Sequence, residues 1–272
     1  MPRFATTILL TLFVGATPTQ AHAVSPTETD PQAIMDAVEA IDAPDKVRSR
    51  IAMKVMDGAG RERTRVVQSI AMNFNEGSKQ LMLFEEPADV RNTGLLSIDY
   101  DDGGQDDDQW LYLPSLKKST RISSSGKSGS FMGTDLSYSD MTKQDPTHYD
   151  YEIVEQSAKV AGEECWLIES RPKTAKAKKE TGYIKSHVWV SKAKLTALQI
   201  KSWVRKGKKL KYIQFADIKK IGGVWTPHKI MAQTKRGSKV ESKTLILFKE
   251  YAVNQADVTE ARFTQRQLEQ GL

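Results

Sequence analysis

Residues 106–141 read DDDQWLYLPSLKKSTRISSSGKSGSFMGTDLSYSDM. An acidic turn is followed by a short strand, in which Trp110 and Tyr112 point to one side and Leu111 and Leu113 to the other. Strands that are apolar on both faces are buried on both faces. The stretch therefore predicts a strand inside the protein, and we interpret its tryptophan as the wall of a cavity.

A Ser/Gly-rich segment, residues 123–130, follows this strand, has no apolar side chain to anchor it, and is predicted to be a flexible arm that cannot pack by itself. It leads into Phe131 and Met132. We interpret Trp110 and Tyr112 as the wall of a hydrophobic cradle, and Phe131 and Met132 as a lid that docks on it when no cargo is bound. The alternative is that the two lid residues are permanent core beneath a surface loop.

The rest of the chain alternates apolar and polar residues between short turns, which predicts antiparallel strands. The predicted strands lie near residues 47–55, 66–74, 80–84, 95–100, 149–156, 164–171, 184–191, 195–205, 210–218, 224–234 and 240–253. A helix is predicted from Asp30-Pro31 to Pro44 and another at 259–268, whereas 173–180 is predicted to be a charged loop and Thr134 to cap a short helix.

Two motifs resemble a known family. WLYLPSLKKSTRI (110–122) followed by FMGTDLSYSDM (131–141) resembles the long branch of the LolA-like outer-membrane lipoprotein-sorting proteins, and FADIKKIGGVWTPHKI (215–230) resembles their strand, glycine turn and proline-containing strand. The resemblance implies a mainly β fold. In that fold a curved antiparallel sheet forms a half-open, unclosed β-barrel with helices packed in the concavity.

The resemblance also implies a function. The family's members are periplasmic carriers without catalytic residues, so we expect a non-enzymatic protein that shields the acyl chains of a lipoprotein or lipid. An inner-membrane transporter of the RND or MMPL type would be the donor, and an outer-membrane protein the acceptor. The alternative is a periplasmic sensor that binds mislocalised lipoproteins and signals through an anti-σ partner. An enzyme would need a polar constellation facing inward, which the sequence does not show.

Residues 1–23 have the features of a cleaved signal peptide. Arg3 precedes an apolar run at 4–15, and Ala21-His22-Ala23 fits a small-x-small cleavage site. The run is shorter than the roughly 20 residues that span a bilayer. We expect export to the periplasm, cleavage after Ala23, and one domain over 24–272.

The chain carries a net charge of +6, and two of its predicted turns are strongly basic. Alternate turns of a meander lie at the same end of a sheet, so the turns at 205–209 and 235–239 should be neighbours. Their cations are Arg205, Lys206, Lys208, Lys209, Lys235, Arg236 and Lys239. They are predicted to dock on an acidic transporter or an anionic lipid surface, or else only to keep the protein soluble. The export signal and the lack of a nucleic-acid-binding motif argue against nucleic acid.

Other motifs do not predict a cofactor or metal. Gly126-Lys127-Ser128 lacks the first glycine of a phosphate-binding loop. The aspartates between 99 and 108 lack calcium-loop spacing and are interpreted as a solvated turn. Cys165, the only cysteine, excludes an intrachain disulfide and is predicted to be core.

Overall fold

The structure is a computed structural model that describes residues 24–41, 44–101 and 104–271. The predicted signal segment, 1–23, and its cleavage site lie outside these residues. Within them, no helix is both long enough and apolar enough to cross a membrane.

In the described part of the chain, thirteen antiparallel strands form one curved sheet. They are β1 (Val47–Asp57), β2 (Glu62–Phe74), β3 (Gly77–Glu86), β4 (Gly94–Tyr100), β5 (Asp108–Leu113), β6 (Lys118–Arg121), β7 (Tyr149–Val160), β8 (Glu163–Pro172), β9 (Tyr183–Ser191), β10 (Ala197–Val204), β11 (Lys209–Ile221), β12 (Val224–Arg236) and β13 (Lys239–Ala252). The spatial order is β6-β5-β4-β3-β2-β1-β13-β12-β11-β10-β9-β8-β7. Two meanders therefore join at β1–β13 and leave β6 and β7 as separate edges. The predicted unclosed half-barrel is confirmed.

Helix α1 (Pro31–Glu39) begins as the sequence predicts. The Asp30 side chain accepts a hydrogen bond from the Gln32 backbone N–H, and proline occupies the first helical position. Its apolar face packs on the inner side of the sheet, where Ile34 is fully buried against Trp166 and Ile168.

Two local predictions were wrong. Residues 173–180 do not form a loop: Thr174 caps α2 (Ala175–Thr181), and Gly182 ends it with a φ of 66°. Thr134 caps no α-helix; instead Ser137 and Asp140 form a capping box on a 3₁₀ turn, Tyr138–Met141. The last helix, α3, is also shorter than predicted and spans Gln265–Gln270.

The sheet has apolar side chains on both faces at one end. The inner core contains Ile51, Met53, Val67, Met82, Phe84, Leu95, Ile213 and Ile246. The outer core is formed by Ile70, Leu81, Leu83 and Leu96, which Val258, Phe263 and Leu268 of the C-terminal segment cover. The C-terminal segment thus covers the outer face of β2–β5.

The structure places Trp110 and Tyr112 on this outer face, so the predicted cavity wall is wrong. Trp110 is opposite Leu96, and both aromatic residues pack against the outer core. Tyr112 is opposite Gly94, where an added Cβ would lie only 2.5 Å from Leu268 Cδ1. The alternation along β5 was read correctly, but alternation alone does not say which face is the concave one.

The C-terminal cover predicts a stability effect far from any cavity. Leu268 has no exposed surface, so Leu268→Ala should lower the free energy of unfolding by about 2–5 kcal/mol. Arg266 is exposed in the same helix, and Arg266→Ala should change it by no more than about 0.5 kcal/mol. Urea unfolding of both variants is the measurement; equal stabilities would contradict a structural role for the cover.

Candidate functional site

A cavity of about 440 Å³ lies on the inner face of the sheet. It is enclosed by α1, by the inner faces of the strands, and by residues 123–145, which cross the concavity and which we call the strap. Most lining side chains are apolar, including Met35, Val38, Ile51, Met53, Met82, Leu136, Met141, Val188, Ala197, Ile200, Ile213, Phe215, Ile230, Ile246 and Phe248. The cavity is therefore suited to a flexible apolar ligand.

The inner face changes from apolar to polar along the strands. On β11 the inward residues run from Phe215 through Ile213 to Lys211, and the neighbouring strands change at the same level. Ala232 gives way to Thr234 on β12, and Ile246 to Thr244 on β13. The cavity occupies the apolar half, and the strap lies against the polar half.

Asp135 ties the strap to β12 and β13. Its buried carboxylate accepts hydrogen bonds from Thr234 Oγ1 at 2.6 Å, from Thr244 Oγ1 at 2.7 Å and from the Ser242 hydroxyl. The Asp135 backbone N–H donates to Thr244 Oγ1 at 2.9 Å. A buried carboxylate with this many donors is satisfied without a counter-ion.

Asp140 ties the strap to β9 and β11. Lys211 Nζ lies 2.7 Å from Asp140 Oδ2, and the Tyr183 hydroxyl donates to Oδ1 at 2.7 Å. Burial opposes ionisation of the carboxyl, but the Lys211 ammonium and its hydrogen-bond donors hold its pKa below the usual value. Burial and the same carboxylate raise the pKa of Tyr183 well above its ordinary value. This is an inward polar constellation that the sequence analysis missed.

The Ser/Gly-rich start of the strap is held in place, contrary to the prediction of a flexible arm. Lys127 is 2% exposed, and its Nζ lies 3.1 Å from Glu180 Oε1 on α2. The contact is electrostatic, because its angles are not those of a hydrogen bond. The Lys127 carbonyl also accepts from the Ser139 N–H at 2.9 Å.

The predicted lid residues lie in the strap, but not at the mouth of the cavity. Phe131 has no exposed surface, and its ring centroid is 5.7 Å from that of Tyr138 and 6.0 Å from that of Phe84. Met132 is half-buried on the same inner core, and its carbonyl accepts a hydrogen bond from Arg65. Neither side chain lines the cavity.

The two basic turns lie side by side, as predicted from the meander. Lys209 is opposite Arg236 in the β11–β12 register. Glu241 neutralises part of this surface, since it pairs with Lys209 at 2.7 Å and with Arg236 at 2.6 Å. The other five cations of the predicted set form no ion pair among the described residues; they are Arg205, Lys206, Lys208, Lys235 and Lys239.

A smaller polar cavity of about 150 Å³ lies near α1 and the end of β4. Asp99 and Glu39 line it, and burial raises the pKa of each carboxyl to about 7. Asp99 was predicted to lie in a solvated turn, yet its Oδ1 is buried and has no hydrogen-bond partner among the residues that the structure describes. Across residues 24–41, 44–101 and 104–271, no group of three or more His, Cys, Asp and Glu side chains is placed to hold a metal ion.

Comparison with known proteins identifies the family. A family model described only as that of an uncharacterized protein matches residues 76–270. A solved domain from Vibrio parahaemolyticus, described as an outer membrane lipoprotein-sorting protein domain, is 27% identical in sequence to this chain. The two structures superpose with a TM-score of 0.78, over 88% of this chain and 98% of that one. The chain belongs to the LolA-like family.

Two further structures agree with this assignment. A DUF1329 family protein from Desulfovibrio piger is 29% identical, with a TM-score of 0.77 over 90% of this chain and all of that one. A LolA superfamily protein from Nitrosomonas europaea is 17% identical, with a TM-score of 0.64 over 88% of this chain and 99% of that one, and shows the shared fold. Among curated proteins, no match to the chain is found.

The strap's polar ties predict a strong coupling. Asp140→Asn and Lys211→Met should each cost about 3–5 kcal/mol of unfolding free energy, because each leaves a buried charge or polar group unpaired. The double variant should cost less than the sum of the two. Since the folded pKa of Asp140 is lowered, its contribution is present above the unfolded pKa of about 3.9 and is lost as pH falls through the folded value.

Urea unfolding of the four proteins at pH 7 and at about pH 2.5, well below the unfolded pKa, measures this coupling. Asp150 is the matched control, because its pair with Lys173 is long (3.6 Å) and exposed; Asp150→Asn should cost less than about 1 kcal/mol. Additive single and double variants would show that Asp140 and Lys211 do not act as a unit.

Proposed function

We propose that the protein is a non-catalytic carrier that shields the acyl chains of a lipoprotein or lipid in the inner cavity. The observation that carries the proposal is the apolar cavity of about 440 Å³ beneath a strap held by polar contacts. The Vibrio parahaemolyticus domain is classed with lipoprotein-sorting proteins, which supports the same cargo class. The cargo would move across the periplasm towards the outer membrane.

The cavity's lining suits acyl chains. Exposure of an acyl chain to water costs about 0.8 kcal/mol per CH₂, so even a partly covered chain gains several kcal/mol. Four methionines line the cavity, namely Met35, Met53, Met82 and Met141. Unbranched, polarizable methionine side chains adapt to ligands of different shape. A carrier needs this adaptability because acyl chains differ in length and curvature.

Loading requires the strap to move. Arg65 donates to the Met132 carbonyl, and we propose that this contact holds the strap closed. Phe131 and Met132 remain its lid residues in this proposal, because outward movement of the strap would uncover the inner core around Phe84 and Leu95. Polar ties can exchange protein partners for water when the strap opens.

The remaining elements of the proposal concern location and partners. The predicted signal peptide supports export to the periplasm. A carrier needs a donor and an acceptor, and the family resemblance favours an inner-membrane transporter of the RND or MMPL type and an outer-membrane acceptor. The five unpaired cations of the basic turns support docking on an anionic surface.

Filling the cavity should abolish cargo binding. Ala197 lines the cavity, so Ala197→Trp should reduce uptake of a fluorescent fatty-acyl probe roughly tenfold or more, because the displacement of two CH₂ groups already exceeds 1.4 kcal/mol. Ala216 is on β11 next to the inward Phe215 and points to the outer face. Ala216→Trp is therefore the matched control and should bind normally. Equal uptake by both variants would exclude this cavity as the acyl site.

Removal of the unpaired cations should weaken docking. The test variant replaces five residues by Gln: Arg205, Lys206, Lys208, Lys235 and Lys239. Its binding to anionic vesicles should be weaker by about 1 kcal/mol for each charge that reaches the vesicle surface, and should depend less on salt concentration. A control removes five exposed cations elsewhere that form no ion pair within the described part of the chain: Lys117, Lys118, Lys159, Lys220 and Lys249. Unchanged binding in the first variant would leave solubility as the function of the basic turns.

A further inference from the structure

We propose that the carrier's cargo has a phosphate-bearing anionic head group, which binds in a cationic pocket adjoining the acyl cavity. The inference rests on the proposed function and narrows it, because it selects an anionic phospholipid-type amphiphile over a cargo whose head group carries no charge.

The pocket has a volume of about 380 Å³ and lies between the strap, the end of α2 and the β10–β11 turn. Six cations line it: Lys178, Lys179, Arg205, Lys206, Lys209 and Lys211. Hydroxyl groups of the strap, from Ser125, Ser128 and Ser130, line the same space. Ammonium and guanidinium groups are donors that bind phosphate oxygens in proteins. Two of the three hydroxyls already donate to backbone carbonyls, Ser128 to that of Ser125 and Ser130 to that of Thr134, so the cations are the donors left for a phosphate.

Most of the positive charge in the pocket is not neutralised. Lys209 pairs with Glu241 and Lys211 with Asp140, each at 2.7 Å. Lys178, Lys179, Arg205 and Lys206 form no ion pair with any described residue. The one acidic side chain in the lining, Asp135, is already occupied by three hydroxyl donors. The pocket is therefore left with several unpaired cations.

The backbone brings these groups together. Gly182 ends α2, and an added Cβ there would lie 3.1 Å from Ser128 Cβ, so the absence of a side chain lets the strap approach. The Gly182 carbonyl accepts from the Arg205 N–H at 2.9 Å, which joins the α2 end to the β10–β11 turn. The strap, the end of α2 and the β10–β11 turn thus all line the same pocket.

The pocket and the acyl cavity share a wall. Leu136 and Tyr183 line both, and the Asp140–Lys211–Tyr183 constellation lies at their boundary. An amphiphile with its chains in the cavity would therefore present its head group at this boundary. A diacylglycerol head group offers only hydroxyl and ester oxygens, whereas a phosphodiester offers a full charge to the unpaired cations.

The test compares two probes with the same fluorescent acyl chains, phosphatidylglycerol and diacylglycerol, at low salt. Phosphatidylglycerol should bind roughly tenfold or more tightly. Millimolar inorganic phosphate should compete with phosphatidylglycerol but not with diacylglycerol. In the triple variant Lys178→Gln, Lys179→Gln and Lys206→Gln, this preference should fall to within about twofold, with diacylglycerol binding unchanged.

The matched control also removes three exposed cations, by Lys159→Gln, Lys220→Gln and Lys249→Gln, which lie outside the basic turns. None of these lines the pocket, so the preference should survive. Equal binding of the two probes by the unmodified protein overturns the head-group pocket but leaves the acyl carrier standing. Loss of preference in both triple variants overturns it too, in favour of general surface charge. Failure to bind either probe overturns both the pocket and the carrier function.

Discussion

The buried contact between Asp140, Lys211 and Tyr183 is the constraint on which the position of the strap across the concavity depends. The strap crosses the concavity with a Ser/Gly-rich start, so few apolar contacts hold that part, and buried polar ties do so instead. A buried ion pair seldom stabilises a protein more than a hydrophobic contact, but it fixes one arrangement, because any other leaves charges unpaired. The strap is thereby held in one register by its polar ties, while its side chains Phe131 and Leu136 pack in the inner core.

The inner face of the sheet changes from apolar to polar along the strands, so its two halves make different contacts. The inward positions 211, 213 and 215 of β11 follow one alternation, yet Phe215 and Ile213 face the cavity and Lys211 ties the strap. Strand alternation thus fixes which residues point inward, and their chemistry decides whether they bind a ligand or the protein itself. In the proposed function, one continuous sheet would in this way hold an acyl chain and regulate access to it.

The same logic shows how far the sequence could predict the structure. Local signals were sufficient for every strand except β6, which was not predicted, and for the start of α1, because alternation and capping residues act over a few positions. The face of Trp110 depends on a C-terminal segment about 150 residues away in sequence, which no local pattern shows. Helix α2 was missed since its lysines resemble a solvated loop, and Lys127 because a buried lysine in a Ser/Gly run looks like a soluble one.

The order of groups along the inner face constrains how a cargo could enter from a docked membrane. The basic turns lie beyond the polar half of the sheet, and the strap lies between them and the cavity. A chain that entered from that end would have to pass the strap, and the strap's ties end in Lys211 and Asp140, beside the cationic pocket. An anionic group that approached Lys211 would compete with Asp140 for its ammonium. Arrival of the head group would then weaken a tie that closes the cavity, so the same charge could both position the cargo and open its path.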